Sequence, residues 1–223
     1  MPGAGGRLAA LIFDLDGTLA ETEEVHRAAF NQTFQRTGIG VEWSISRYRE
    51  LLSTTGGKRR ILRDFAEREA AMDDATATAL HLAKNARYGQ LLANSLELRP
   101  GVAALIGTAK GRGLATAIAT TTSRANVDAF IDSAGLPEFD VIVCAEDVTT
   151  LKPDPEAYLV ALRRLALSPG EALAFEDSEN GLRAAVSAGL RTIVTPGLYT
   201  AGGAFPGASE ILPDLSDFDL DAY

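Results

Sequence analysis

The sequence is poor in the features that mark disulfide-rich, membrane-spanning or nucleic-acid-binding proteins. Its 223 residues include one cysteine, Cys144, at the end of the apolar run Val141 to Cys144. A lone cysteine cannot form an internal disulfide, which fits a reducing compartment. No apolar stretch reaches the roughly 20 residues that a membrane-spanning helix needs. The formal net charge is −9, so no basic face for nucleic acid is expected.

What remains is the composition of an ordinary globular protein. The hydrophobic content is 46%, and 223 residues can form one sizeable core plus a small module. The leader Met1 to Gly6 is rich in glycine and has no signal-peptide pattern. We therefore expect a cytoplasmic protein, or a plastid protein if a transit peptide has been removed. An acidic surface without a long apolar repeat favours a monomer with neither a membrane nor a nucleic-acid partner.

Alternating strand and helix patterns run from Arg99 towards the C-terminus. Together with a buried strand near the N-terminus, they predict an α/β fold with a doubly wound, Rossmann-like parallel sheet. The predicted strands cover residues 8–13, 114–120, 141–145, 172–175 and 190–194, and the predicted helices cover residues 102–110, 126–134, 155–166 and 181–188. The segment after Gly197 is rich in glycine and proline, and no further clear strand is predicted there.

Residues 20–97 show only helical patterns. The apolar residues have helical spacing over residues 21–35, 44–52, 58–70 and 76–96, with Ser44 placed to cap the second helix. This pattern predicts a small bundle inserted after the first strand. The expected organisation is a helical cap, residues 20–97, on a catalytic core of residues 1–19 and 98–223. The two connections, near residues 17–22 and 95–100, would serve as hinges.

The first strand ends in two carboxylates. Asp14 and Asp16 follow the apolar run Leu8 to Phe13 and precede Gly17 and Thr18. In open α/β sheets, sites form outside the carboxyl ends of the strands. Two carboxylates this close repel each other unless a cation or a proton lies between them. A divalent metal such as Mg²⁺, which prefers oxygen ligands, answers this need, whereas the alternative is a plain turn.

Three later stretches carry polar residues that suit a phosphoryl-transfer site. They are Thr120-Thr121-Thr122-Ser123, the loop Leu151-Lys152-Pro153-Asp154-Pro155, and Glu176-Asp177-Ser178-Glu179-Asn180-Gly181. Hydroxyl and N–H groups at a strand-to-helix turn can bind phosphate, and the two prolines stiffen the loop that presents the lysine. The structural alternatives are helix capping and a solvated lysine.

These four motifs, in this order, resemble those of the haloacid dehalogenase-like phosphatases. The resemblance implies that Asp14 is the nucleophile and Asp16 the general acid/base. It also implies that Thr120 holds the transferring phosphate and that Lys152 neutralises charge on phosphate and carboxylate. The cofactor would be Mg²⁺, held by the Asp14 carboxylate, a backbone carbonyl at Asp16, and Asp177. The resemblance covers essentially the whole chain.

A basic stretch in the predicted cap suggests a second anion site. It consists of Gly56, Gly57, Lys58, Arg59 and Arg60. Cations at a helix N-terminus oppose the helix dipole, so their clustering suggests a bound anion, although a solvated basic turn is the alternative. His81 and Lys84 share one face of a later helix. For His26, a surface or packing role and a functional role are equally consistent with the sequence. Phosphate binding at both sites would require a substrate with two phosphate groups.

The motifs Asp-Gly-Thr-Leu-Ala-Glu-Thr-Glu-Glu, Thr-Thr-Gly-Gly-Lys and Glu-Asp-Ser-x-Asn-Gly-Leu-Arg-Ala-Ala are similar to those of the CbbY-type phosphatases. That family hydrolyses xylulose-1,5-bisphosphate, an inhibitor of ribulose-bisphosphate carboxylase in the Calvin cycle, to xylulose 5-phosphate. The resemblance implies that Glu23 contacts the sugar, that Gly56 to Arg60 hold the distal phosphate, and that His81 and Lys84 assist. The residues implied on the core side are Thr121, Thr122, Ser123 and Asn126.

Three other functions compete with this one. β-Phosphoglucomutase shares the core motifs and the cap type, but its cap carries a Lys-Gly-x-Ser-Arg-like stretch where this chain has Thr-Thr-Gly-Gly-Lys. A broad-range sugar-phosphate phosphatase is the second alternative. A non-catalytic binding protein is the third, and it is disfavoured because every catalytic position of the motifs is retained.

Overall fold

A computed structural model of the chain describes residues 7–93 and 96–223. The leader Met1 to Gly6 lies outside the described residues, as do Asn94 and Ser95, at the end of the last predicted cap helix and the start of the second predicted hinge. The strands are β1 (Ala10–Phe13), β2 (Ala115–Ala119), β3 (Val141–Val143), β4 (Ala172–Glu176), β5 (Arg191–Val194) and β6 (Glu210–Ile211). The helices are α1 (Glu23–Arg36), α2 (Ile45–Leu51), α3 (Gly57–Glu67), α4 (Asp74–Leu92), α5 (Val102–Gly111), α6 (Arg124–Ala134), α7 (Glu156–Leu165) and α8 (Glu179–Ser187).

The strands form one parallel sheet in the order β3-β2-β1-β4-β5-β6. This confirms the predicted doubly wound α/β fold. The sixth strand is an addition to the prediction, because Glu210 and Ile211 pair with the end of β5 inside the glycine- and proline-rich tail. Two exposed residues carry no strand-like hydrophobic pattern, so only the neighbouring strand reveals them.

The central strands explain why polar residues collect at one edge of the sheet. Every residue of β1 and β4 is buried, as expected for strands covered on both faces. Phe13 aligns with Ile118 of β2 and Phe175 of β4. The residues that follow these positions therefore leave the sheet side by side, where the strand order reverses between β1 and β4. Ligand sites of open α/β sheets lie at such a reversal.

The described chain divides into two compact units. The sheet unit contains residues 7–21, 97–124 and 134–223, and the helical unit contains residues 22–93, 96 and 125–133. The second segment of the helical unit is most of α6, which the sequence assigns to the core. That these units act as a catalytic core and a cap stays a prediction.

The helical unit has an aromatic centre. Phe30 and Trp43 have ring centroids 4.5 Å apart, and those of Phe34 and Trp43 are 5.1 Å apart. Ser44 caps α2 as predicted, since its side chain accepts a hydrogen bond from the N–H of Arg47. The predicted end of α4 is wrong, because the helix stops at Leu92 rather than Leu96.

None of the helices in the described ranges is long and apolar enough to cross a membrane.

Candidate active site

Asp14 leaves the sheet at the carboxyl end of β1. Its backbone N–H donates to the carbonyl oxygen of Phe175 at 3.0 Å, which places it beside the end of β4. Its side chain is buried, and Oδ1 accepts a hydrogen bond from Lys152 Nζ at 2.6 Å. The structure therefore brings together two residues that the sequence predicts to react with and to stabilise a phosphate.

The Lys152 ammonium lies between two carboxylates. Besides Asp14, it donates to Glu176 Oε1 at 2.6 Å. Burial lowers the pKa of Lys152, but the charges of Asp14 and Glu176 outweigh this effect and raise it above its ordinary value. Lys152 is 4% exposed, which excludes the alternative of a solvated surface lysine. It is a fixed positive charge inside an acidic site.

Tyr158 also contacts this pair. Its hydroxyl donates to Glu176 Oε1 at 2.5 Å. Burial and the nearby negative charges of Glu176 and Asp14 raise the pKa of Tyr158 well above its ordinary value, so the hydroxyl stays protonated. Tyr158 was not among the residues predicted from the sequence. The sequence feature that could have identified it is its position on the buried face of α7, because the hydroxyl of a buried tyrosine needs a polar partner.

Three buried acids form a group that suits a metal ion. Oxygen atoms of Asp14, Glu176 and Asp177 all lie within 4.8 Å of one another. Burial raises the pKa of Asp14 to about 8, with Glu176 adding to the rise and Lys152 opposing it. A divalent cation would relieve this repulsion, and three carboxylates are the hard oxygen donors that Mg²⁺ prefers. The donor set therefore fits such an ion.

Asp177 is held by two neighbouring turns. Its Oδ2 accepts a hydrogen bond from Thr200 Oγ1 at 3.2 Å, and the N–H of Gly197 donates to the same Thr200 oxygen at 2.8 Å. Gly17 also lies close to this carboxylate, since its φ is +83° and a Cβ added to it would be 2.3 Å from Asp177 Oδ2. Glycine after Asp16 is thus required both by the backbone conformation and by this close approach.

Asp16 is held from the end of β2. Its Oδ2 accepts a hydrogen bond from Thr122 Oγ1 at 2.7 Å, and the N–H of Thr122 donates to Thr120 Oγ1 at 3.2 Å. Thr121 and Ser123 are partly buried in the same turn. The predicted acid/base residue and the predicted phosphate-binding turn are therefore neighbours in the sheet unit.

Arg99 connects three segments of the sheet unit near the site through hydrogen bonds to their backbone carbonyl groups. One guanidinium nitrogen donates to the carbonyl oxygens of Gly17 and Thr195, and the other donates to those of Pro196 and Pro213 at 3.1 and 3.0 Å. The side chain is buried. The role of Arg99 could not be predicted from the sequence, because its acceptors are backbone atoms from three distant parts of the chain.

In the helical unit, the predicted sugar-binding and phosphate-binding residues meet at a tyrosine. The Tyr48 hydroxyl donates to Glu23 Oε2 at 2.7 Å and accepts from Arg60 at 3.2 Å. Arg60 and Glu23 are 4.0 Å apart. Tyr48 was not predicted, although a tyrosine within the apolar face of a short helix is again the available signal.

The two glycines at the start of α3, Gly56 and Gly57, are each required for a different structural reason. Gly56 has a φ of +96°, which favours glycine. A Cβ at Gly57 would lie 2.7 Å from His81 Nδ1, a buried atom with no hydrogen-bond partner among the described residues. Burial and the surrounding positive charges, first that of Lys84, together lower the pKa of His81 to about 4. The field at His81 is therefore positive.

The remaining cations of the basic stretch point elsewhere in the helical unit. Lys58 forms an ion pair with Asp74 at 2.7 Å, with both groups substantially exposed. The Arg59 side chain is exposed. Arg60 is thus the cation of this stretch that the structure places against Glu23.

Lys84 is buried among aromatic rings. Its Nζ lies 2.6 Å from His26 Nδ1 and stands over the rings of Phe30 and Tyr88, at 4.8 and 5.1 Å from their centroids. His26 stacks on Tyr88 with a centroid distance of 4.0 Å. His26 therefore packs in the core of the helical unit and also contacts a residue predicted to bind substrate.

Asn126 belongs to the same group. Its Nδ2 donates to Asn85 Oδ1 at 3.2 Å, and Asn85 Nδ2 lies 3.4 Å from His81 Nε2. The predicted residues Asn126 and His81 are thus linked through Asn85, which the sequence analysis did not identify.

The sheet order, the buried lysine and the acidic group define a class of enzyme. A model of the haloacid dehalogenase-like hydrolases matches residues 8–189. The chain belongs to this family, and it is a phosphatase.

Within the family, the chain is similar to the CbbY proteins. It is 50% identical over 214 residues to CbbY of Rhodobacter capsulatus, with 94% of each chain covered. The crystal structure of CbbY from Rhodobacter sphaeroides in complex with phosphate matches with a TM-score of 0.91 at 46% identity, covering 94% of this chain and 96% of that one. A mutant of that protein in complex with xylulose-(1,5)bisphosphate matches with a TM-score of 0.90 at the same identity and coverage.

Proposed function

We propose that the protein hydrolyses xylulose-1,5-bisphosphate to xylulose 5-phosphate and inorganic phosphate. The observation that carries the reaction type is the contact of Lys152 Nζ with Asp14 Oδ1 at 2.6 Å, beside the group formed by Asp14, Glu176 and Asp177. The choice of substrate is supported by similarity to a CbbY protein crystallised with this bisphosphate.

The proposed cofactor is Mg²⁺. Asp14, Asp177 and a backbone carbonyl at Asp16 would hold it, and the buried Glu176 carboxylate is close enough to join them. When bound, the ion supplies positive charge next to a phosphate oxygen and so offsets the repulsion between substrate and carboxylates.

The proposed reaction has two steps on this chain's own residues. A carboxylate oxygen of Asp14 attacks the phosphorus at C1, the bond from phosphorus to the sugar oxygen breaks, and Asp16 gives its proton to that oxygen. The Asp16 carboxylate then takes a proton from water, whose oxygen attacks the phosphorus of the aspartyl-phosphate. This releases phosphate and restores Asp14. The hydrogen bond from Thr122 Oγ1 holds Asp16 for both transfers.

Lys152 and Thr120 stabilise the charge that develops on the transferring group. Lys152 is a buried cation held by two carboxylates, so its position needs little rearrangement when the phosphate enters. The Thr120 hydroxyl and the N–H groups of the following turn offer further donors.

The helical unit is proposed to bind the rest of the substrate. Glu23 would contact the sugar, and the segment Gly56 to Arg60 would bind the phosphate that is not cleaved, with Arg60 as its main cation. His81, Lys84 and Asn126 would contribute to the same positive environment. The low pKa of His81, caused by burial and by surrounding positive charges, supports an anionic ligand here.

The test is phosphate release from xylulose-1,5-bisphosphate, ribulose-1,5-bisphosphate and β-glucose 1-phosphate with and without Mg²⁺. We expect kcat/KM to be at least about a hundredfold higher for the xylulose compound, the difference that two or more matched polar contacts produce. Equal rates on all three would contradict the proposed substrate. Formation of glucose 6-phosphate without net phosphate release would instead make the protein a mutase.

A further inference from the structure

Tyr158 connects α7 to the charged centre of the sheet unit. It is fully buried, and its hydroxyl donates to Glu176 Oε1 at 2.5 Å. The Lys152 ammonium lies 3.4 Å from that hydroxyl and 4.9 Å from the centroid of the tyrosine ring. One side chain thus contacts both the lysine and the acid that the lysine binds.

Glu176 is also confined by the start of α8. A Cβ at Gly181 would lie 1.9 Å from Glu176 Oε2 and 2.0 Å from its carboxyl carbon. The first turn of α8 therefore lies directly against the carboxylate. With Tyr158 and Lys152 both donating to Oε1, the carboxylate has a defined place and orientation.

We propose that Tyr158 is a positioning residue for phosphoryl transfer, because its hydroxyl fixes Glu176 and Glu176 in turn fixes Lys152 against Asp14. This inference deepens the proposed function and rests on it. Lys152 is the residue that needs such support, since a lysine side chain is flexible and can point in many directions.

The first measurement is the kinetics of Tyr158→Phe with xylulose-1,5-bisphosphate and with p-nitrophenyl phosphate. The variant keeps the ring, its packing and its contact with the ammonium, and it removes one donor to a buried carboxylate. We expect kcat to fall about tenfold, as for loss of a hydrogen bond to a charged group, while KM changes less than about twofold because ground-state substrate contacts remain. The matched control is Tyr223→Phe, which removes an exposed hydroxyl bonded to Glu210 and should leave both constants unchanged.

The second measurement separates positioning from a general loss of stability. If Tyr158 acts through Lys152, then Tyr158→Phe should have little further effect on kcat in a Lys152→Gln background. An equal tenfold loss in both backgrounds would show that Tyr158 acts independently of the lysine, and it would overturn the inference. Wild-type kcat in the single variant would also overturn it. Thermal unfolding of each variant confirms that the proteins compared are folded.

The third measurement does not depend on activity. In a crystal structure of Tyr158→Phe, we expect the Glu176 carboxylate to leave its present position and the contact between Lys152 and Asp14 to lengthen beyond 2.6 Å. If Glu176, Lys152 and Asp14 all keep their positions, Tyr158 does not position them, and the inference is wrong whatever the activity of the variant. If the wild-type protein releases no phosphate from any substrate tested, the proposed function fails. The crystal structure of Tyr158→Phe would still show whether Tyr158 positions Glu176 and Lys152.

Discussion

Two buried carboxylate clusters, one in each unit, have opposite charge balance. In the sheet unit, the carboxylates of Asp14, Glu176 and Asp177 lie close to one another, and the ammonium of Lys152 donates to the first two. In the helical unit, Asp64 is fully buried and accepts hydrogen bonds from Trp43 Nε1, Arg47 Nε and Arg68 Nε, each at 2.7 to 2.8 Å.

The pKa values follow this balance. Burial raises the pKa of both carboxyl groups. For Asp14, burial and the neighbouring acids together raise the pKa to about 8. For Asp64 the donors from Arg68, Trp43 and Arg47 overcome the effect of burial and hold the pKa below its ordinary value. In a cluster whose charges are compensated, removing one partner destabilises the fold, whereas a cluster with excess negative charge is prepared to bind a cation.

The largest effect that would distinguish the two clusters is expected for Asp14→Asn. The amide is a poor nucleophile, so we expect phosphate release to fall by more than about a thousandfold. Because the change removes one of several mutually repelling acids, the midpoint of thermal unfolding should be unchanged or higher. Turnover near the wild-type rate would refute the role of Asp14, and a large loss of stability would contradict the claim of excess negative charge.

Asp64→Asn should have the opposite pattern. Removing the charge weakens the hydrogen bonds that the fully buried carboxylate accepts from Arg47 and Arg68, whose side chains are 22% and 40% exposed, and we expect the free energy of unfolding to fall by about 2 kcal/mol. Urea denaturation measures this loss, while kcat of the folded protein should change little. The control is Glu67→Gln, which removes an exposed partner of Arg47 and Arg63 and should cost much less. Equal losses of unfolding free energy in Asp64→Asn and Glu67→Gln would show that the burial of Asp64 does not increase its contribution to stability.

Gly181→Ala tests how closely the acidic cluster is confined. The new Cβ would lie 1.9 Å from Glu176 Oε2, so either the carboxylate or the first turn of α8 must move. We expect about 1 to 3 kcal/mol of destabilisation and a fall in kcat of about tenfold. Gly170→Ala is the control, since its Cβ would meet no atom within 4 Å. Unchanged kcat and stability in Gly181→Ala would mean that the site tolerates displacement of Glu176.

The smallest expected effect concerns His81 and pH. Its folded-state pKa is about 4, below the ordinary value of 6.5, so the unfolded chain binds more protons between these values. The contribution of neutral His81 to stability is therefore present above pH 6.5 and is lost as the pH falls towards 4. His81→Asn should show a shallower decline of unfolding free energy from pH 6.5 to 4.5. Identical slopes for the two proteins would contradict a depressed pKa.

The sequence alone predicts the sheet and much of its chemistry. Apolar runs that end in Asp14, Thr120 and Asp177 are local patterns, and parallel strands bring their carboxyl ends to one edge whatever connects them. Lys152 is predictable because two prolines and a family motif surround it. The helical unit is predictable as four helices, but its inclusion of residues 125–133 is not, since that assignment depends on contacts between distant segments.

Tertiary structure decided the contacts that give these residues their environment. Tyr158 and Glu176 are 18 residues apart, and His26 and Lys84 are 58 apart. A sequence pattern records the spacing along one helix or strand, whereas these pairs depend on how two elements pack. The sequence therefore determined which chemical groups are present and on which elements they lie. Packing decided which carboxylates share one lysine, which are saturated by arginine, and hence which pKa values rise and which fall.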